Sequence, residues 1–151
     1  MKKLLSALLL LALLMLLTAC GSRDTVGGMQ LTVLQAERGV QSDHYFGQRD
    51  CFPVMLQITN VSGKAIGPLS EVFSAELHMA GRVFTSDVVF TRTAGDNDEA
   101  LPDGCLLSPG ETVCVRLRFF PSVEDARRLD ADMRITIGDD SITIPFPHMD
   151  E

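Results

Sequence analysis

The sequence has 151 residues, of which 13 are Lys or Arg and 20 are Asp or Glu, so its formal net charge is −7. An acidic chain is repelled by the phosphates of nucleic acids and by anionic lipid headgroups, which argues against nucleic acid as a partner. The chain has no Trp and one Tyr, the side chains on which sugar rings usually stack, so we expect no carbohydrate site.

The first 19 residues have the pattern of a secretory signal. Lys2 and Lys3 supply positive charge, and the segment Leu4–Leu17 consists almost entirely of Leu, Ala and Met. This apolar run is about 14 residues long, whereas a helix needs about 20 to cross a bilayer. Its length and flanks therefore predict a signal peptide over residues 1–19 rather than a transmembrane anchor.

The signal ends in Leu-Thr-Ala-Cys at residues 17–20, which resembles the lipobox of bacterial lipoproteins. In that family diacylglycerol is attached to the cysteine sulfur, and the signal is cut just before it. The resemblance implies that Cys20 is the lipidated first residue of the mature protein, held on the outer face of the bacterial cell membrane. Gly21 after the cysteine implies transfer to the outer membrane if the cell has one.

Cleavage before Cys20 leaves 132 residues with 11 Lys or Arg against 20 Asp or Glu, a net charge of −9. That length is typical of one domain with an adequate core. The lipidated cysteine and the small, polar residues after it are predicted to form a flexible tether over 20–28. The domain is then expected over 29–147, followed by a C-terminal tail over 148–151.

Apolar and polar residues alternate with a period of two in seven segments, which predicts β-strands that each bury one face. Pairing across a turn at Ala80-Gly81 places Leu77 opposite Phe84. One short helix is expected over residues 122–129. In chain order, the seven predicted strands are Met29–Val33, Phe52–Thr59, Phe73–Met79, Arg82–Phe90, Val113–Phe119, Met133–Ile137 and Ile142–Phe146.

These strands predict an all-β fold, an antiparallel immunoglobulin-like β-sandwich of about seven strands, with a closed barrel as the alternative. Three stretches, LQITNVSGKAI, ELHMAGRVF and LLSPGETVCVRLRFFP, resemble an immunoglobulin-like domain of unknown function that is common in Gram-positive lipoproteins. That domain is of the immunoprotective-extracellular-protein type. The resemblance covers most of residues 29–147 and implies a non-catalytic module, because the domain has no catalytic residues to carry over.

Three cysteines remain when Cys20 is set aside, and disulfides can form outside the cytoplasm. An odd number means that at least one thiol is free or pairs between molecules. A tight hairpin at residues 108–111 would place Cys105 opposite Cys114, although a Pro-Gly turn favours type II geometry, which splays strands. Three arrangements stay open: a Cys105–Cys114 bridge, a bridge from Cys51 to either of them, and no bridge.

One stretch outside the strand alternation mixes aromatic and polar side chains, namely Asp43, His44, Tyr45 and Phe46. It lies in the loop before the second predicted strand, and loops of sandwiches often recognise partners. We expect these four residues to bind a protein or a component of the cell envelope. The alternative is that Phe46 simply covers the edge of the sandwich.

Copper handling is the alternative function, because His78-Met79 and His148-Met149 bring together the ligand types of secreted copper carriers. Adjacent residues of a strand point to opposite faces, so Met79 is expected in the core and His78 in water.

No catalytic or cofactor motif occurs, and a hydrolase would need a Ser-His-Asp triad assembled only in space. The acidic run at residues 96–99 is followed by Ala100 and Pro102, where a calcium-binding loop needs oxygen ligands. We therefore predict no enzyme activity, no cofactor and no metal.

Overall fold

The structure, a computed structural model, describes residues 24–36, 39–43, 47–95, 99–121 and 130–146; for residues 24, 39–43 and 47–50 it describes the backbone alone. These ranges contain ten strands and one short helix. In chain order, the elements are β1 (Asp24–Val26), β2 (Met29–Ala36), β3 (Gly39–Asp43), β4 (Gly47–Asn60), α1 (Leu69–Val72), β5 (Phe73–Met79), β6 (Arg82–Thr85), β7 (Asp87–Thr91), β8 (Thr112–Phe119), β9 (Ala131–Ile137) and β10 (Asp140–Pro145).

The strands form two sheets whose pairings are all antiparallel. The first sheet has the order β1-β2-β4-β8-β7, with β3 also paired to β4, and the second has the order β10-β9-β5-β6. Each sheet turns its apolar face toward the other, so the core lies between them. The antiparallel β-sandwich predicted from the alternation is therefore confirmed.

The described part of the chain has more strands than the sequence predicts, partly because the predicted strand over 82–90 is divided. At Ser86, both the backbone N–H and the side-chain hydroxyl donate to the carbonyl of Ala75, each at 3.2 Å. β6 before this residue belongs to the second sheet, whereas β7 after it belongs to the first. The prediction of one continuous strand is wrong. The alternation hides the break because both halves face the same core.

The hairpin between β5 and β6 has the predicted register, with Leu77 opposite Phe84. Its two turn residues, Ala80 and Gly81, have φ values of 55° and 75°. Positive φ at both central positions is typical of a type I′ turn, whose twist matches that of the paired strands.

The core is filled by inward-facing aliphatic and aromatic side chains from both sheets. The Phe52 and Phe146 rings lie 5.6 Å apart, and Phe73 meets Phe90 edge to face at the same distance. Full burial of one large apolar side chain stabilises a fold by about 1.5–3 kcal/mol. The bulkiest side chains with almost no exposure are Phe52, Phe119, Phe146, Met29, Leu31, Leu56, Ile58, Leu69, Leu77, Met79, Leu107 and Leu117.

The described helix, α1, has four residues and follows Pro68. It directly precedes β5 and buries Leu69, and the sequence analysis did not predict it. The helix that was predicted over 122–129 lies outside the described residues.

Asn60, the last residue of β4, is fully buried, and its side chain makes four hydrogen bonds. Its Nδ2 donates to the carbonyl oxygens of Lys64 and Leu107, each at 2.8 Å. Its Oδ1 accepts from the backbone N–H of Ser62 at 2.9 Å and from the Ser62 hydroxyl at 2.7 Å. This one side chain therefore joins the end of β4 to the two loops that pass over it.

We expect Asn60→Ala to lower the free energy of unfolding by about 2–4 kcal/mol, because it removes four hydrogen bonds from a buried site. Urea unfolding of the purified protein measures the change. Thr59→Ala is the matched control. It changes the adjacent residue of β4, whose hydroxyl bonds to the Thr112 hydroxyl on the half-exposed outer face of the sheet. Equal stability of the two variants would show that Asn60 does not hold this end of the sandwich.

Candidate functional site

Asp43, the first of the candidate binding residues, belongs to a hairpin that extends from the first sheet. β3 pairs with the first five residues of β4, from Asp43 opposite Gly47 to Gly39 opposite Cys51. We call this hairpin, residues 39–51, the arm. The neighbouring strand β8 reaches β4 only as far as Phe52, so the arm continues about 17 Å beyond it at about 3.4 Å per residue.

Of the four predicted binding residues, Asp43 ends β3. His44, Tyr45 and Phe46 fall between the paired residues Asp43 and Gly47 but lie outside the described residues. The sequence analysis missed β3 itself. Its residues, Gly-Val-Gln-Ser-Asp, lack an alternating apolar face.

The predicted anchor at Cys20 lies outside the described residues, as does the whole signal segment. Within the described ranges, no helix has the length and apolar character needed to cross a membrane. Asp24–Val26, predicted as part of the tether, instead form β1 and pair with Met29–Leu31 across a turn at Gly27-Gly28.

The tight turn considered at residues 108–111 forms, but the hairpin beyond it does not. The N–H of Glu111 donates to the carbonyl of Ser108 at 3.0 Å, and Gly110 has a φ of 78°, typical of a type II turn. Before the turn, Leu107 pairs with Ile66 rather than with β8. The loop thus crosses between strands, as the Pro-Gly pair favours, and the alternative of a hairpin with Cys105 opposite Cys114 does not form.

Cys105 and Cys114 are consequently not cross-strand neighbours. Cys114 lies on β8 opposite Gln57 on one side and Thr91 on the other, while Cys105 lies in the loop before the turn. No disulfide joins Cys51, Cys105 and Cys114, all three of which lie in the described ranges.

Cys51 lies at the base of the arm. Its neighbour Phe52 belongs to the core cluster and Cys51 does not, yet Cys51 is also fully buried. Burial raises the pKa of its thiol above the ordinary value, the nearby Arg118 guanidinium opposes the rise, and the Asp87 carboxylate adds to it. A buried thiol with a raised pKa carries little thiolate, which is the nucleophilic form. Cys51 therefore has the character of a structural cysteine.

Thiol labelling of the native protein is expected to modify Cys105 first. Cys105 is partly exposed, whereas Cys51 and Cys114 are 0% and 5% exposed. The raised pKa of Cys51 further delays its reaction as the pH rises. Mass spectrometry after brief alkylation, with and without urea, measures the order. Complete native labelling of Cys51, or an intact mass showing a disulfide, would contradict the arrangement.

The His78-Met79 pair is divided between the two faces of β5, as predicted. Met79 is in the core, whereas His78 is half-exposed on the outer face of the second sheet. There the Nε2 atom of His78 lies 3.1 Å from an oxygen of Glu76. His148 and Met149 lie outside the described residues.

The outer face of the second sheet is polar and carries both signs of charge. Glu76 is opposite Arg134, and His78 is opposite Asp132. The Arg134 guanidinium also donates to the Ser141 hydroxyl at 3.2 Å. In the part of the chain that the structure describes, no three His, Cys, Asp or Glu side chains are grouped closely enough to hold a metal ion. The face is suited to contact with water or with a protein surface.

Arg116, which the sequence analysis did not single out, is held by the loop after β7. Its guanidinium donates to the carbonyl of Ala94 at 3.3 Å and to that of Gly95. The loop therefore folds toward the outer face of the first sheet. From the sequence, the alternation of β8 shows only that Arg116 points away from the core. It does not show that Arg116 bonds to the loop after β7.

An open groove of about 260 Å³ lies beside the same loop. This volume is below the roughly 300–1,000 Å³ of small-molecule sites. Glu99, the one described member of the acidic run, is exposed and lines the groove, while residues 96–98 lie outside the described residues. The groove is lined by Arg92, Glu99, Ala100, Leu101 and Pro102.

The sequence matches no protein-family model and no curated protein. Solved structures with a similar fold exist. An uncharacterized β-sandwich protein from Clostridium difficile 630 superposes with a TM-score of 0.55 and 14% identity, covering 84% of this chain and 91% of that one. A functionally unknown protein from Listeria monocytogenes EGD-e has a TM-score of 0.52 and 15% identity, over 84% of this chain and 81% of that one. These similarities support the β-sandwich fold.

Proposed function

We propose that the protein is a membrane-anchored extracytoplasmic lipoprotein whose β-sandwich is a non-catalytic interaction module. The sequence Leu-Thr-Ala-Cys at residues 17–20, after a charged and then apolar segment of signal length, carries the anchoring part of the proposal. Diacylglycerol on the Cys20 sulfur would attach the mature chain to the outer face of the cell membrane, or to the outer membrane in a Gram-negative cell.

The proposal of an interaction module is supported by where the polar side chains lie. Asn60 and Thr91 are the two buried polar residues of the described ranges. The Asn60 side chain bonds to Ser62 and to the carbonyl of Leu107, and the Thr91 hydroxyl donates to the carbonyl of Thr93. Such bonds are typical of structural residues. The remaining polar groups lie on the outer faces of the sheets and in loops. A protein or envelope component would therefore be recognised by a surface.

The arm is the surface that we propose for this recognition. It extends beyond β8, so partner molecules can approach it without displacing the core. Asp43 ends β3, and His44, Tyr45 and Phe46 follow it in the sequence, so this stretch combines one carboxylate, one imidazole and two aromatic rings. Aromatic side chains supply much of the binding energy in protein interfaces when a partner excludes water from them.

The anchor is tested by metabolic labelling with a clickable fatty acid. We expect the wild-type protein to take up label and to fractionate with membranes, and Cys20→Ser to do neither, because serine lacks the sulfur that is acylated. Cys105→Ser is the matched control, since it removes a partly exposed thiol of the domain. Label retained by Cys20→Ser would disprove the lipobox assignment.

Affinity capture from the native envelope tests the arm. We expect Tyr45→Ala to lose partners that the wild-type protein captures, by a factor of ten or more if the ring is a central contact worth about 2 kcal/mol. The melting temperature should stay unchanged. Arg134→Ala, on the outer face of the second sheet, is the control. An unchanged set of captured partners in Tyr45→Ala would remove the arm tip from consideration.

A further inference from the structure

The outer face of the second sheet is accessible on all four of its strands. Every outward-facing side chain on β5, β6, β9 and β10 is exposed or half-buried. By contrast, the outer face of the first sheet is partly closed, since Thr91 and Cys114 on it are buried. The accessible face includes an apolar side chain, that of Val83 on β6, which is 54% exposed.

The strand registers arrange this face in rows that run across the sheet. In the middle row, Arg134 on β9 lies directly opposite Glu76 on β5. Thr143 on β10 and Thr85 on β6 extend this row at its two ends. The middle row therefore has a positive charge on one central strand and a negative charge on the other. The next row, in the same order of strands, contains Pro145, Asp132, His78 and Val83.

Two of the charges on this face are not neutralised within the described part of the chain. Glu76 is paired with His78, whose Nε2 lies 3.1 Å from one of its oxygens. The Arg134 guanidinium instead bonds to a neutral group, the Ser141 hydroxyl. Among the described residues, neither Arg134 nor Asp132 makes an ion pair. These two charges are therefore available to a partner molecule.

A second copy of the same face has the complementary arrangement. The sheet order is β10-β9-β5-β6, so a two-fold axis that runs parallel to the strands between β9 and β5 places β5 of one copy over β9 of the other, and β6 over β10. Each row then faces the same row of the other copy. Glu76 meets the partner's Arg134, and His78 meets the partner's Asp132. At the ends of the second row, exposed Val83 meets the partner's Pro145.

We propose that the outer face of the second sheet associates with the same face of a second copy about this two-fold axis. The contact is isologous, because one patch serves both copies. Sheets commonly pack face to face with their strands aligned to within about 30°, which this axis allows. The inference goes beyond the proposed function and does not depend on the anchor at Cys20.

The size of the face indicates a weak contact. Four strands about 4.8 Å apart and about six residues long, at about 3.4 Å per residue, give an area of about 400 Å². That area is about half of what each partner contributes to a stable interface of standard size. We therefore expect a transient association, which increases when the copies are concentrated on one surface.

The acidity of the chain does not prevent this contact. Each copy has a net charge of −7, so two copies repel each other at long range. At physiological ionic strength, exposed charges more than about 8 Å apart are largely screened. The facing charges of the two copies lie in contact and are screened much less. Local complementarity therefore decides which faces associate.

Cysteine cross-linking in intact cells tests the register. Two full-length copies with different tags are co-expressed, one as Thr85→Cys and the other as Thr143→Cys, both with Cys105→Ser to remove the partly exposed native thiol. The axis places these two positions face to face, whereas position 85 lies about 14 Å along the sheet from position 85 of the partner copy. With a short bis-maleimide, we expect several-fold more product that carries both tags from this pair than from two Thr85→Cys copies. Equal yields, or no product with both tags, would overturn the inference.

Charge reversal at the centre of the face tests the complementarity. Arg134→Glu in both copies of the cross-linking pair, or Glu76→Arg in both, makes like charges face each other. We expect either change to lower the cross-linked yield about tenfold. Glu76→Arg in one copy combined with Arg134→Glu in the other makes opposite charges face each other again, and we expect the yield to return. A mixed pair that stays as weak as the uniform pairs would contradict the proposed axis.

Matched controls separate this face from net charge and from stability. Arg92→Glu and Glu99→Arg make the same charge changes at exposed positions beside the first sheet, and we expect them to leave the yield unchanged. The melting temperatures of all variants should stay close to that of the wild type. Losses in these controls as large as those at positions 76 and 134 would assign the association to net charge and overturn the inference. Cross-linking of this face to a different protein alone would do the same.

Discussion

The end of the sandwich opposite the arm depends on one buried carboxamide, that of Asn60. A carboxamide offers two donors and an oxygen with two acceptor positions, and all four are used here. The backbone of the same residue also bonds to Gly110 and Glu111. Because the site is closed to water, these bonds determine where β4 ends and why the loop before β8 crosses over it instead of folding back as a hairpin.

β4 connects the end of the sandwich that Asn60 holds with the arm at the other end. Its second half is paired on both sides, with β2 and with β8, whereas its first half belongs to the arm. At the junction, Phe52 packs against Phe146 in the core while Cys51 is buried on the other side. The arm therefore starts from a rigid base. In the proposed function, recognition takes place at this arm.

Local patterns predicted the features that depend on local physics. The turn at Ala80-Gly81 gave the correct register, because a two-residue turn with positive φ defines its strand pairs. The period of two correctly placed Met79 in the core and His78 outside. The position of Cys105 relative to Cys114 could not be derived in this way. The chain just after Cys105 pairs through Leu107 with Ile66, a residue remote in sequence that no turn signal specifies.

By itself, the sequence determined the β-class of the domain, most of its core and the candidate lipidation site at Cys20, because alternation and signal segments are read along the chain. Only the tertiary structure decided that the segment over 82–90 changes sheets at Ser86 and that β3 pairs with the start of β4 to form an arm. The reason is physical: which strands become neighbours depends on hydrogen bonds between distant residues, and a strand's own pattern shows its buried face but not its partner.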